Sequence, residues 1–215
     1  MKHFDIITEA DARLLEPGTV VRLAKGGHVT PLAADTLAER RVTVVRDDGV
    51  AGSDLDGLAP TADIRTVAVG TDHTGLALKQ SLIAFLRGRG LSVMDVGTNE
   101  TASVDYPDIA AAVCLPVSRG EADAGIVIDG AGLGSAIAAN KVPGIRAAMC
   151  VTEMLARYAR EHNGSNVLAL GATLLTTDEA LRIVETWLTT PMREARYIRR
   201  LAKIRALERR GGARP

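Results

Sequence analysis

The chain alternates short apolar runs with longer amphipathic segments from residue 66 onward. The short runs are apolar almost throughout and are bounded by glycine or polar residues, which is typical of strands buried on both faces of a sheet. This pattern predicts five strands, in TVAVGT (66–71), LSVMDVG (91–97), AGIVID (124–129), IRAAMC (145–150) and NVLALG (166–171).

The segments between these runs repeat their apolar positions with the helical period of 3.6 residues. Gly88 and Gly90 end the first helix, Pro107 opens the second, and a Thr-Thr-Asp cluster at 176–178 caps the last. The predicted helices lie in HTGLALKQSLIAFLRGRG, DIAAAVCLPVSRG, LGSAIAANK, TEMLARYAREHN and TDEALRIVETWL. Because strand and helix alternate, we expect an α/β fold with a parallel sheet covered on both faces.

The first 60 residues carry a different pattern, which predicts a small α+β extension. TVVRLA and RVTVVR are predicted strands, and TPLAADTLAER between them is a predicted helix, with Thr30 as its cap and Pro31 at its first position. The stretch at 46–63 is acidic and rich in glycine, which is typical of a linker. We therefore expect two domains, 1–60 and 61–215, divided near 48–63.

Composition narrows the class of protein. With 215 residues, 47% of them apolar, the chain can bury a core without disulfides or a metal. Cys114 and Cys150 lie in apolar runs and are predicted to be buried, reduced thiols. The sequence shows no signal-peptide pattern and no apolar stretch of ~18 residues, and its formal charge is zero. We expect a cytoplasmic protein that binds a small molecule and neither nucleic acid nor a membrane.

The charges are unevenly distributed despite the zero sum. Residues 191–215 hold nine basic and two acidic side chains. A basic stretch of this length is typical of a solvated helix face or a frayed end, and it is short for a nucleic-acid-binding tail. It also offers positive charge for a phosphate group.

Three polar clusters follow predicted strands: Gly70-Thr71-Asp72-His73, Asp105-Tyr106-Pro107, and Asp129 with the segment GAGLG at 130–134. Ligands of parallel sheets bind at the carboxyl ends of the strands. The GAGLG segment offers closely spaced backbone N–H groups for a phosphate or an oxyanion, or it is a tight turn that needs glycine. Its spacing differs from the G-x-G-x-x-G fingerprint, so no nucleotide cofactor is expected.

The second domain contains four long motifs, VAVGTDHTGLALKQSL, SVDYPDIA, GEADAGIVIDGAGLGSAIAANKVPGIRAA and AREHNGSNVLALGA. Over about residues 66–207 the chain resembles the ribose-5-phosphate isomerase B and galactose-6-phosphate isomerase family. The resemblance implies a Rossmann-like three-layer α/β/α fold with a five-stranded parallel sheet. It also implies a homodimer or dimer of dimers, sites built from both subunits, and interconversion of aldose and ketose sugar phosphates without a cofactor.

This reaction opens a cyclic sugar and then removes the proton beside the carbonyl, through an enediolate whose negative oxygen must be stabilised. The resemblance implies that Asp129 is the carbon base, at a position where the family usually has cysteine. It assigns ring opening and proton donation to His162, although a histidine near a helix C-terminus can also be structural. The loop implied to stabilise the negative oxygen consists of Gly130, Ala131, Gly132, Leu133 and Gly134.

The resemblance also assigns binding residues. Arg196 and Arg200 match the arginines that hold the phosphate, with Arg199 as a neighbour. Asp72 can serve the sugar and cap a helix at the same time. The residues implied to face the sugar are Asp72, His73, Tyr106 and Asn163.

The chain departs from the family pattern at three places. An aspartate at 129 is a weak base at neutral pH unless burial or a neighbouring acid strengthens it. Ala131 replaces a threonine of the loop, and Ala172-Thr173 stands where the family often has an arginine. These departures leave open a non-catalytic sugar-phosphate-binding subunit, and a purely structural Asp129 that caps the loop.

The segment from Ile6 to Val45 contains ITEA, TPLA and a Leu-Ala-Glu-Arg helix end. It resembles the leading segment of ethanolamine-utilisation cobalamin adenosyltransferases and related microcompartment enzymes. The resemblance implies association with an enzyme assembly through residues 1–60, and it leaves open that such targeting is the main role of this extension. His3 and His28 have no partners at metal-ligand spacing, so no metal site is predicted.

Overall fold

The computed structural model describes residues 2–46, 58–60, 63–192 and 195–211. Contacts divide the chain into two compact units, one within Met1–Leu58 and Glu194–Ala202 and the other within Ala59–Arg193 and Lys203–Pro215. The predicted linker falls largely on residues that lie outside the described ranges, so it stays a prediction.

The smaller unit alternates three strands with two helices. These are β1 (His3–Ile7), α1 (Glu9–Arg13), β2 (Val20–Val29), α2 (Pro31–Glu39) and β3 (Thr43–Arg46). The strands are all parallel, in the order β1-β2-β3. As predicted, α2 begins with Pro31, and the Thr30 hydroxyl accepts a hydrogen bond from the N–H of Ala33.

β1 and α1 were not predicted from the sequence. Thr8 and Asp11 form a capping box, in which each side chain accepts a hydrogen bond from the backbone N–H of the other residue. This T-x-x-D signal is visible in the sequence. A helix of five residues is too short to show a period, however, and the charge of Asp5 interrupts the apolar pattern of β1.

The larger unit is built on a five-stranded parallel sheet. Its strands are β4 (Thr66–Thr71), β5 (Ser92–Asp95), β6 (Ala124–Asp129), β7 (Ala147–Met149) and β8 (Val167–Gly171). Their order is β5-β4-β6-β8-β7. The predicted strand at 145–150 is shorter than expected, because the N–H of Arg146 is bound by the side-chain oxygen of Asn166.

In the part of the chain that the structure describes, six helices accompany this sheet. They are α3 (Leu76–Gly88), α4 (Tyr106–Ser118), α5 (Leu133–Ala139), α6 (Glu153–Glu161), α7 (Thr177–Thr189) and α8 (Ala195–Gly211). Thr176 caps α7 in a capping box with Glu179. The sequence division assigned the whole of α8 to residues 61–215, whereas contacts group its first half, up to Ala202, with the smaller unit.

Two hydrophobic cores lie on opposite faces of the five-stranded sheet. Val67 and Val69 enter one core and Ala68 enters the other, because successive side chains of a strand point to opposite faces. The helices α3, α6 and α7 pack in the first core, and α4 and α5 pack in the second. This arrangement confirms the predicted three-layer α/β/α fold.

Both cysteines are buried and unpaired by disulfides, as predicted. Burial raises the pKa of the Cys114 and Cys150 thiols to about 12 in each case. Within the described ranges, no helix is long and apolar enough to cross a membrane.

Candidate active site

Three strand ends meet at the carboxyl edge of the five-stranded sheet. Thr71 pairs with Ile128, and Asp129 pairs with Gly171. The edge is closed by backbone hydrogen bonds beyond the strands, from the N–H of Asp72 to the Ile128 carbonyl at 3.2 Å and from the N–H of Ala172 to the Asp129 carbonyl at 2.8 Å. The clusters that follow β4 and β6 in sequence are therefore neighbours in space.

The carboxylate of Asp129 is bound by the glycine-rich loop that follows it. Its Oδ1 accepts hydrogen bonds from the N–H groups of Ala131, at 2.9 Å, and Gly132. Its Oδ2 accepts a hydrogen bond from the N–H of Ser135 at 2.8 Å. Asp129 is only 5% exposed. Two of the loop N–H groups that the sequence assigned to an external anion, those of Ala131 and Gly132, are thus occupied by a carboxylate of the chain itself.

Close packing shapes this loop. Gly132 has a φ of +77°, and Gly171 lies so close that a Cβ on it would be 2.7 Å from the carbonyl carbon of Ala131. Both positions therefore require glycine. A Cβ on Gly134 would lie 2.7 Å from ring carbons of Tyr106. The Tyr106 ring therefore lies against the first turn of α5. Leu133, also in the predicted loop, is 58% exposed.

Asp72 and His73 lie beside the loop in the turn that follows β4. The Asp72 carboxylate accepts hydrogen bonds from the N–H and the hydroxyl of Thr74. The expectation that Asp72 caps a helix is wrong, because α3 begins after Gly75 and has no side-chain cap. The Nδ1 atom of His73 accepts a hydrogen bond from the N–H of Val104 at 3.5 Å, which ties this turn to the segment before α4.

His162 and Asn163 lie at the other edge of the sheet. They follow the last turn of α6 and precede Val167, the first residue of β8, whereas Asp129 pairs with its last residue. Five residues of strand span about 16 Å. The His162 ring stacks on Tyr158, with 4.7 Å between ring centroids, and the Asn163 side chain donates to the Tyr158 carbonyl. Within one chain, the structure does not bring His162 to Asp129.

The predicted phosphate ligands lie on α8. Arg200 is exposed, and its guanidinium carbon is 5.5 Å from the centroid of the Tyr197 ring. Arg196 lies in the first turn of α8, and its side chain falls outside the described part of the chain.

The structure adds hydroxyl groups that the sequence analysis did not single out. Thr173, which stands where the family often has an arginine, braces the loop by donating from its hydroxyl to the Gly130 carbonyl at 2.6 Å. The hydroxyls of Thr71 and Ser135 are buried and have no hydrogen-bond partner within the described ranges. Ser135 follows GAGLG directly, so its position beside the loop could have been inferred from the sequence. Among the described residues there is no cluster of three or more His, Cys, Asp or Glu that could hold a metal ion.

Known proteins match the larger part of the chain. A family model described as Ribose/Galactose Isomerase matches residues 67–204. Ribose-5-phosphate isomerase B of Escherichia coli (strain K12) is 42% identical over 147 residues, which make up 68% of this chain and 99% of that protein. A putative sugar phosphate isomerase of Rickettsia bellii is 40% identical over 138 residues, 64% of this chain and 96% of that protein.

Solved structures match the same portion. Clostridium thermocellum ribose-5-phosphate isomerase B superposes with a TM-score of 0.67 at 48% identity, and the match covers 68% of this chain and 99% of that one. Mycoplasma genitalium ribose-5-phosphate isomerase B, solved with bound ribulose-5-phosphate, gives a TM-score of 0.65 at 38% identity, covering 67% of this chain and 96% of that one.

Proposed function

The chain belongs to the ribose/galactose isomerase family and is an isomerase of the intramolecular oxidoreductase class, and on this premise we propose that it interconverts ribose 5-phosphate and ribulose 5-phosphate or a closely similar pair. The relatives reported above support this substrate class. The reaction needs a base at carbon, donors for the enediolate oxygen and an acid for ring opening, and no cofactor.

The observation that carries this proposal is the binding of the Asp129 carboxylate by the loop. Because three N–H groups converge on carboxylate oxygens, the same groups can bind the negative oxygen of an enediolate. In the proposed cycle the substrate oxygen takes these hydrogen bonds and Asp129 turns towards the carbon-bound proton. Because the substrate oxygen is neutral until the proton is removed, Asp129 gives up charge-assisted hydrogen bonds of roughly 1.5–3 kcal/mol each, and equally strong bonds form only as negative charge develops on the enediolate oxygen.

A second copy of the chain supplies His162 in this proposal. The resemblance to the family implies sites built from both subunits, and His162 lies about one strand length from Asp129 in its own chain. The outer face of α6 supports pairing, because an exposed apolar stripe runs along it at helical spacing. The stripe consists of Val151, Met154, Leu155 and Tyr158.

The remaining assignments follow the resemblance. We propose that Arg196 and Arg200 hold the phosphate, and that Asp72, His73, Tyr106 and Asn163 bind the sugar. Replacing Arg200 by alanine is then expected to raise KM for the sugar phosphate more than it lowers kcat.

For residues 1–60 we propose association with an enzyme assembly, such as a microcompartment. When this segment is removed, we expect the chain to stop co-purifying with that assembly and to retain its turnover.

A non-catalytic sugar-phosphate-binding subunit is the second candidate function. It is favoured by the fact that both oxygens of Asp129 accept hydrogen bonds, so that its lone pairs are engaged. Ala131 also lacks the hydroxyl of the threonine that the family usually has there, and the pair Ala172-Thr173 lacks the arginine that the family often has.

A turnover assay separates the two functions. The purified full chain is incubated with pentose, tetrose and hexose phosphates in the absence of any cofactor, and ketose formation is followed. Turnover of a pentose phosphate is the result expected for the isomerase. Binding without turnover on every sugar, with activity restored by a paralogous subunit, would support the second function instead.

A further inference from the structure

A buried arginine lies two residues before His162. Arg160, in the last turn of α6, is 1% exposed. Its guanidinium carbon lies 4.9 Å from the centroid of the Trp187 ring on α7, and its Nη1 donates to the Ser165 carbonyl at 2.8 Å. Arg160 thus joins α6, α7 and the segment that leads into β8.

Ser165 is held on three sides. Its carbonyl accepts from Arg160, its hydroxyl accepts a hydrogen bond from the fully buried Trp187 Nε1 at 2.6 Å, and its N–H donates to the Ala159 carbonyl at 2.9 Å. Every polar atom of this buried residue is therefore hydrogen-bonded to α6 or α7. These hydrogen bonds fix the position of the Ser165 backbone relative to both helices.

The segment between Arg160 and Ser165 is fixed at both ends as a result. Its turn is made by Gly164, which has a φ of +54° and donates its N–H to the Arg160 carbonyl at 3.0 Å. The Gly164 carbonyl in turn accepts from Arg146 Nε at 2.8 Å. His162 is carried by this short segment, and its side chain is 34% exposed. Because its ring stacks on Tyr158 of α6, the direction of the ring depends on how this segment is held against α6.

Ordinary core packing does not account for a charged residue here. Burial, followed by the nearby charge of Arg146, lowers the pKa of Arg160 to about 10, which still leaves the side chain charged at neutral pH. Desolvation of this charge is offset by its hydrogen bond to the Ser165 carbonyl and its contact with the Trp187 ring. Both contacts tie α6 to the elements around it.

We propose that Arg160 and Trp187 are positioning residues that set the orientation of the His162 imidazole through Ser165. The inference rests on the proposed role of His162 in ring opening. A misplaced catalytic group slows the chemical step, whereas Asn163 is the one proposed sugar ligand that the same segment carries. Disturbing this cluster therefore lowers kcat more than it raises KM.

Two mild variants test the proposal. Trp187→Phe keeps the ring beside Arg160 and removes the N–H that binds Ser165, and Ser165→Ala removes the acceptor. Arg182→Met is the matched control, because it breaks an exposed ion pair between α7 and Glu153 of α6, at 3.2 Å, without touching the cluster.

Each variant is assayed for kcat and KM. Its histidine ring signals are recorded by NMR in histidine-labelled protein, which has four histidines. The signals of His162 are assigned by their loss in His162→Gln.

In Trp187→Phe and Ser165→Ala we expect the His162 ring signals to shift or broaden and kcat to fall about tenfold or more, with a smaller rise in KM. Arg182→Met is expected to leave kcat, KM and the His162 signals at their wild-type values. Unshifted His162 signals in both cluster variants, or an equal effect of Arg182→Met, would overturn the positioning role. The NMR readout separates this result from failure of the proposed function, which would appear as absence of turnover in the wild-type chain.

Discussion

The Asp129 carboxylate accepts a hydrogen bond from the N–H of Ser135, six residues further along the chain, at 2.8 Å. This bond closes the turn between β6 and α5 around a buried negative charge. It means that the side chain proposed as the base and the donors proposed for the enediolate oxygen are bound to each other before substrate arrives. In the proposed mechanism the substrate must therefore separate them.

Mixed subunits test whether His162 acts in the partner's site. Asp129→Asn and His162→Gln are each expected to abolish most turnover as homodimers. A mixed dimer of the two has one intact site if His162 is supplied across the interface, so equal mixing with exchange of subunits restores about a quarter of wild-type activity. Turnover is measured after the two inactive proteins are refolded together. An absence of restored activity in verified mixed dimers would show that each chain uses its own His162.

Lys79 provides a prediction about stability. It is 1% exposed, and its Nζ donates to Asp95 Oδ1, the Thr98 carbonyl and Asn99 Oδ1 at 2.7–2.8 Å. Lys79→Met leaves these acceptors without their donor, so we expect the free energy of unfolding to fall by about 3 kcal/mol.

Urea unfolding gives the comparison, with Arg65→Met as the control. Arg65 forms an ion pair with Asp63 in which both side chains are exposed, so its loss is expected to leave the urea midpoint nearly unchanged. Equal midpoints for Lys79→Met and wild type would show that these hydrogen bonds do not stabilise the fold.

The buried thiols predict loss of stability in alkali. Burial raises the pKa of Cys114 and Cys150 from 9.0 to about 12. Above pH 9 the unfolded chain therefore loses thiol protons that the folded chain retains, and the free energy of unfolding falls as pH rises from about 9 towards 12. Urea midpoints at about pH 8 and about pH 10 measure this fall in the wild type and in a Cys114→Ala, Cys150→Ala double variant. A fall as steep in the double variant would assign the effect to other groups.

Periodicity predicted the elements whose buried faces require apolar residues. β6 and its end at Asp129 were predicted to the residue, because a strand buried on both faces is apolar along its whole length. The cap of α7 at Thr176 was also predictable from local chemistry. β1 and α1 were missed because each is short and carries charge on its exposed side.

The site was harder to predict than the fold. Motifs led to the carboxyl edge of the sheet, but spacing alone does not show which anion the N–H groups of Ala131, Gly132 and Ser135 bind. The separation of His162 from Asp129 follows from topology, since a residue between a helix and the next parallel strand lies at the amino edge. The cluster around Arg160 and Trp187 depends on contacts between α6 and α7 that sequence spacing does not reveal.

Solvent exchange at the sugar carbon tests the central proposal most directly. In D₂O, removal of the proton beside the carbonyl of ribose 5-phosphate by a side-chain base is expected to place deuterium in the recovered sugar phosphates, as measured by NMR or mass spectrometry. We expect the wild-type chain to catalyse this exchange, and Asp129→Asn to lose it by about 10²- to 10⁴-fold while still binding the sugar phosphate. Wild-type exchange in Asp129→Asn would contradict the assignment of Asp129 as the base. The absence of both exchange and ketose formation in the wild-type chain would contradict the isomerase function itself.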